Sequence, residues 1–234
     1  MGDNYRGFSV TIEKLLEEKK YASLRDILTT INPADIALIF AEIPEEKLPI
    51  CMTSYSPCFR KEVGSHGIEE RGLYRVHQFE KQEMIVICKP EDSEEWYEKM
   101  WQYTVELFRN LDIPVRQLEC CTGDLADLKV KSCDIEAWSP RQQKYFEVAS
   151  CSNLGDAQAR RLGIRTKGEK GTYYLHTLNN TVVATPRGLI ALLENNYQED
   201  GSVKIPEVLW PYMGGKKVIE KIAGRSQLSD SFIR

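Results

Sequence analysis

The sequence predicts an α+β fold, an antiparallel sheet flanked by helices and preceded by a short all-helical segment. Three observations carry this. The first fifty residues hold apolar side chains at helical spacing and no strand signal; from about residue 51 short alternating or wholly apolar runs take over; and one long amphipathic helix interrupts those runs.

In chain order, "VTIEKLLEEKKYASLRDILTT" carries its apolar residues at roughly helical intervals. In "NPADIALIFAEI" the sequence predicts an N-cap at Asn32, with Pro33 at the first helical position and Asp35 near the positive helix end. Two or three short helices are expected there, ending at the boundary marked by Pro44 and Pro49. "MIVIC", residues 84–88, predicts a buried strand, and "DIEAW" and "YFEVAS" predict strands with two different faces. Between them, Tyr97, Met100, Trp101, Thr104, Phe108 and Leu111 recur every three or four positions, an aromatic stripe that faces a core. Near "VVATPRGLIALLENNYQEDG" a strand runs into a helix expected to begin near Pro186 and stop at Asp200-Gly201. The organisation is therefore a helical segment over 1–46, a core over 47–215, and a polar tail over 216–234, of which "AGRSQLSDSFIR" is expected to fray.

Bulk properties exclude several function classes. The chain has 234 residues, 42% of them hydrophobic, and a net charge of −4. That balance excludes nucleic-acid binding by bulk electrostatics and leaves room only for a local positive groove. The longest apolar runs are too short for a bilayer, and "MGDNYRGFSV" lacks the apolar core of a signal peptide, so a soluble, cytoplasmic protein with no membrane partner is expected. Seven cysteines without a CxxC pair, and three histidines with none four residues from another, argue against a zinc site. The thiols read as reduced and mostly buried.

The stretch with chemistry is "CFRKEVGSHGIEERGLYRVHQFEK", residues 58–81. Read as an antiparallel hairpin with arms 58–62 and 73–83, it puts Arg60 and Glu62 on one face of the first arm. Arg75, His77, Phe79, Lys81 and Glu83 share a face of the second. Composition alone allows a solvated hairpin with cross-strand charge pairs. An arginine that can clamp phosphate beside an aromatic ring, joined by a loop with Gly64, Gly67 and Gly72, allows a nucleotide site instead.

This stretch resembles the second signature motif of class II aminoacyl-tRNA synthetases, in its seryl form. "CCTGDLADLKVKSCDIEAWSPRQQKYFEVASCSNLGDAQARR", "LHTLNNTVVATPRGLIALLENN" and "DGSVKIPEVLWPYMGG" resemble the rest of that catalytic domain in order, over residues 47–215. The resemblance implies a class II synthetase-like sheet that binds ATP and Mg2+, activates serine as seryl-adenylate and transfers it to tRNA. It implies catalytic roles for Arg60, on the α-phosphate and serine carboxyl group, and for Arg187, on the γ-phosphate. Glu62 and Phe79 would read and stack adenine, Glu147 and Ser150 would meet magnesium and nucleotide, and Glu83, Asn179 and Thr181 would line a serine pocket. Glu136 is either a second acid facing the metal or a structural ion-pair partner. A homodimer is the implied assembly. An arginine in the first turn of a helix agrees with a phosphate site there, because helix dipole and guanidinium both attract the anion.

The resemblance is incomplete. No heptad run is long enough for the family's tRNA-gripping coiled-coil arm, and its first motif is absent. Where the family has a Thr-x-Glu loop for the serine amino group, "TTIN" supplies Thr29 but Ile31 in place of the acid, whereas "TIE" at 11–13 lies too far upstream. "LLEEKKYASLRDILTTINPADIALIFAEIPEEKLP" instead resembles the start of the cytosolic helical domain of MgtE-type magnesium transporters. The alternative to a serine-activating enzyme is accordingly a non-catalytic nucleotide-binding or interaction module built on the same core.

Overall fold

A computed structural model describes residues 11–12, 14–30, 44–62, 72–169 and 171–221. The capping signals at Asn32, Pro33 and Asp35, together with Ile31, Gly64, Gly67 and residues 222–234, lie outside these.

Residues 14–17 are helical and are followed by α1 (Tyr21–Thr30). Ile12 and Leu24 are buried with Leu15, Leu16 and Leu28 in a small apolar cluster of their own. A 3-10 turn at Glu45–Lys47 then leads into β1 (Ile50–Phe59) and β2 (Gln78–Cys88). Glu45 joins this turn to the rest of the fold by accepting from Lys89 Nζ at 2.8 Å and from the Tyr173 hydroxyl at 3.0 Å.

After β2 come α2 (Ser93–Asn110), β3 (Val115–Glu119), β4 (Lys131–Ser139) and β5 (Lys144–Asn153). The chain continues through α3 (Ala157–Leu162), β6 (Arg165–Gly168), β7 (Gly171–Tyr174), β8 (His176–Ala184) and α4 (Thr185–Asn196), to β9 (Val203–Lys204) and β10 (Val218–Ile219). The main sheet has the order β1-β2-β8-β5-β4-β3, and every neighbouring pair is antiparallel. This is the α+β architecture the sequence predicts.

The residue types explain which face is covered. In α2 the acids Glu94 and Glu95 sit in the first turn and Arg109 in the last, the arrangement a helix dipole favours. Its stripe of Tyr97, Met100, Thr104 and Phe108 is buried against Val86, Cys133, Ile135, Cys151 and Leu178 of the sheet. Burying one such ring contributes about 1.5–3 kcal/mol. Asn180 pins the helix by donating to the Met100 carbonyl at 2.6 Å and to Thr104 Oγ1 at 2.9 Å. Ala191 of α4 joins the same cluster, so α2 and α4 share one face.

On the other face, among the described residues, one end is covered. Ile50, Ile87 and Leu175 pack there against Ala159 of α3 and Ile164. Among the described residues the opposite end of that face stays open, and there the cleft forms.

Four expectations need correction. The hairpin strands run over 50–59 and 78–88, so Arg60, Glu62, Arg75 and His77 lie beyond the ladder, and Glu62 adopts a φ of +46°. Helix α4 ends at Asn196 rather than Asp200, because Tyr197 turns extended and pairs with Val203. The supposed tail begins with β10, which pairs with β9. All seven cysteines are free, but only Cys88, Cys133 and Cys151 are buried, whereas Cys51 and Cys121 are exposed. No helix among the described residues is long and apolar enough to cross a membrane.

Candidate functional site

Two register irregularities shape the cleft floor. Between Gln82/Glu83 and β8 the pairing skips Val182, and between Ile135/Glu136 and β5 it skips Val148. A bulge shifts the alternation of side chains by one. Thr181 and Ala184, three residues apart, therefore face the same side, as do Glu147 and Ser150. All four line a cleft of about 150 Å³ together with Arg60, Glu62, Tyr74, Arg75, Phe79, Lys81 and Arg187. Strict period-two reading of the sequence would have sent half of them to the other face.

Just past β1, the Arg60 amide donates to the His77 carbonyl at 2.9 Å, and His77 Nδ1 lies 3.2 Å from the Arg60 carbonyl. This closure holds the Arg60 guanidinium 5.3 Å above the Phe79 ring centroid. The positive φ of Glu62 turns its carboxylate toward Arg75, whose Nη1 donates to Glu62 Oε2 at 3.0 Å. Gly72, at φ +71°, starts the returning arm in a conformation that side-chain-bearing residues disfavour. Sequence alternation puts Tyr74 and Arg75 on opposite faces. Because 72–77 is not strand, both reach the cleft.

Arg187 sits in the first turn of α4, behind Pro186. Its Nη1 donates to Glu147 Oε2 at 2.8 Å and to the Glu147 carbonyl at 3.2 Å, and its guanidinium lies 4.6 Å from the Tyr74 ring centroid. Glu147 and Ser150 present only oxygen donors, and no cluster of three or more metal-binding side chains exists among the described residues. That donor set fits a magnesium ion carried largely by phosphate oxygens and water, not one caged by protein.

Glu83 is half-buried next to the cleft lining. Its Oε1 accepts from the Thr181 hydroxyl at 2.8 Å, and Lys81 pairs with the same carboxylate. The other oxygen, Oε2, is buried without a partner. Glu83 and Asn179 do not themselves line the cleft, although Lys81 and Thr181 do. Glu136 is ion-paired with Arg116 at 2.6 Å, which favours the structural alternative for it. Asp134, opposite Ser150 in the register, has its carboxyl pushed above the usual range by burial and, secondarily, by Glu147. Thr29 bonds back to the Asp26 carbonyl at 3.0 Å within α1 and is not part of the cleft wall.

The lining contains four basic side chains, Arg60, Arg75, Lys81 and Arg187, against two acids, Glu62 and Glu147. A chain of net charge −4 thus concentrates positive charge in one concavity beside an aromatic ring.

Known proteins resemble this chain over most of its length. The family model for the tRNA synthetase class II core domain (G, H, P, S and T) matches residues 18–196. A serine–tRNA ligase of Methanospirillum hungatei is 50% identical over 197 residues, covering 82% of this chain and 46% of that protein. One from Pyrococcus furiosus is 49% identical over 224 residues, covering 89% and 49%. The chain spans about half the length of the curated relatives it matches. Among solved structures, seryl-tRNA synthetase from Pyrococcus horikoshii complexed with ATP superposes with a TM-score of 0.75 at 46% identity, over 80% of this chain and 43% of that one. Cytoplasmic serine-tRNA ligase from Naegleria fowleri in complex with AMP gives 0.72 at 39% identity, over 81% and 46%.

Proposed function

The chain belongs to the class II tRNA synthetase core family, and on that premise we propose that its cleft binds ATP and serine and joins them as seryl-adenylate for transfer to tRNA. The observation that carries this reading is the polarity of the cleft. Positive charge and aromatic faces line it, and an unpartnered carboxylate oxygen, Glu83 Oε2, is buried next to the lining residues Lys81 and Thr181. A triphosphate suits the first; an ammonium or hydroxyl group suits the second.

In this reading a serine carboxylate oxygen attacks the α-phosphorus, and the bond to the bridging oxygen breaks so that pyrophosphate leaves with the electron pair. Positioning and charge neutralisation suffice, with no side-chain nucleophile. Arg60 holds the α-phosphate and the serine carboxylate together, Phe79 stacks adenine, Glu62 reads its amino group and Arg187 takes the γ-phosphate. Glu83, with Asn179 and Thr181, receives serine. Magnesium, held through Glu147 and Ser150, would neutralise phosphate charge when bound. The ion pair between Arg187 and Glu147 keeps the two groups together for their separate phosphate-directed tasks.

The same reading makes tRNA and a second copy of the chain its partners, and the cytoplasm its compartment. For residues 1–46 the family match begins at residue 18, which supports assigning part of the helical segment to the synthetase core rather than to a transporter-like domain.

ATP–pyrophosphate exchange measured with each amino acid separately tests the proposal. Exchange that depends on serine supports it. ATP binding without exchange, under saturating serine and magnesium, overturns the enzymatic reading and leaves the nucleotide-binding module.

A further inference from the structure

We propose that Tyr74 is the positioning residue for Arg187, its ring face holding the guanidinium over the cleft when Glu147 turns to other ligands. The inference rests on the reading of Arg187 as a phosphate-binding group. Three contacts hold that guanidinium: the Glu147 carboxylate at 2.8 Å, the Glu147 main-chain carbonyl at 3.2 Å and the Tyr74 ring at 4.6 Å. They differ in chemistry. The carboxylate is itself a candidate magnesium ligand, so a metal–triphosphate competes for it. The ring has no such competing partner and attracts the cation whatever Glu147 does.

Tyr74 is built to stay put. Its ring meets Phe146 edge-on, with centroids 5.9 Å apart and planes at 65°, and it packs against the main core. Burial pushes its phenol up from the ordinary value, so the ring stays neutral through the physiological range. The residue that follows, Arg75, holds Glu62 at 3.0 Å. One short returning arm thus supports a group at each end of the bound nucleotide: Tyr74 behind Arg187 at the terminal phosphate, and Arg75 behind Glu62 at the base.

The test compares Tyr74→Leu, which removes the π face, with Tyr74→Phe, which keeps it. Binding of ATP and AMP to the full chain is measured by calorimetry. Tyr74→Leu should weaken ATP about 3- to 30-fold, the range of a partly desolvated cation–π contact, while leaving AMP within about twofold. Tyr74→Phe should restore ATP binding, and Tyr74→Leu should add nothing further in an Arg187→Met background. Equal losses for ATP and AMP would show a merely structural role and overturn the proposal, as would wild-type ATP affinity in Tyr74→Leu or failure of Tyr74→Phe to restore it. A double-mutant cycle on the urea midpoint with Tyr74→Leu and Arg187→Met keeps this distinct from the nucleotide reading. If the wild-type chain binds no ATP, that reading falls, and coupling in the cycle then decides whether the ring holds the guanidinium. Additive midpoints would refute the contact itself.

Discussion

Replacing Glu83 by glutamine keeps the shape of the side chain and removes its charge. In the wild-type fold one carboxylate oxygen is satisfied by Thr181 and Lys81, and the other is buried with no donor. A buried acceptor left unmade costs about 1–3 kcal/mol, and a hydrogen bond to a charged group returns about 1.5–3 kcal/mol. If the amino or hydroxyl group of serine supplies the missing donor, Glu83→Gln forfeits that charge-assisted bond. At 1.36 kcal/mol per tenfold, the loss is about 10- to 150-fold in serine affinity. ATP affinity should stay within about twofold, because the adenine ring and phosphates are assigned to Phe79, Arg60 and Arg187. The assay is the serine KM in ATP–pyrophosphate exchange, with calorimetric ATP binding as the control. An unchanged serine KM, or a parallel fall in ATP affinity, would refute the assignment of the orphaned oxygen to serine.

Phe79→Leu removes the stacking face at the half-buried start of β2; loss of one base–aromatic stack, about 1–3 kcal/mol, should weaken ATP about 5- to 150-fold with little change in the melting temperature. Phe108→Ala opens a cavity under α2, where the ring is fully buried, and should lower stability by about 3–5 kcal/mol in urea titration. His176 gives a pH signature. Burial pushes its imidazole below the ordinary value, with Asp156 and Glu91 pulling the other way, so the unfolded chain binds this proton more readily than the folded one. Its contribution is complete above the unfolded pKa of about 6.5 and is lost as pH falls from there through the lower folded value. The wild-type melting temperature should drop faster between pH 7.5 and 5.5 than that of His176→Gln. Asp134, raised by burial, acts with the opposite sign, and the comparison between the two chains cancels it. Identical slopes would show that His176 does not titrate differently on folding.

Much of the site was readable in the sequence because local chemistry announces it. Arg60, Glu62 and Phe79 stand within twenty residues around a glycine-rich loop, and Arg187 follows a helix-starting proline. All four reach one cleft. Tyr74 was invisible to the same reasoning, since alternation assumes a strand and 72–77 is none. Glu147 and Ser150 came only through family resemblance: three residues apart, they share a face only because Val148 bulges. The same holds for Thr181 and Ala184 about Val182.

By itself, then, the sequence determined the layers of the fold: the stripe of α2, the buried "MIVIC" strand, and the two-faced strands β4 and β5 follow from periodicity that any packed sheet must honour. Tertiary structure decided which ends of those layers stay open and which polar groups go unpaired. Helices α2 and α4 cover one face, and α3 with its ribbon covers only part of the other, so the floor between the two bulges is left to the cleft. Long-range pairing fixed the rest. The partners of Arg187, Glu62 and Glu83 come from strands and arms distant in sequence or displaced in register, and no spacing rule encodes a distance across a sheet.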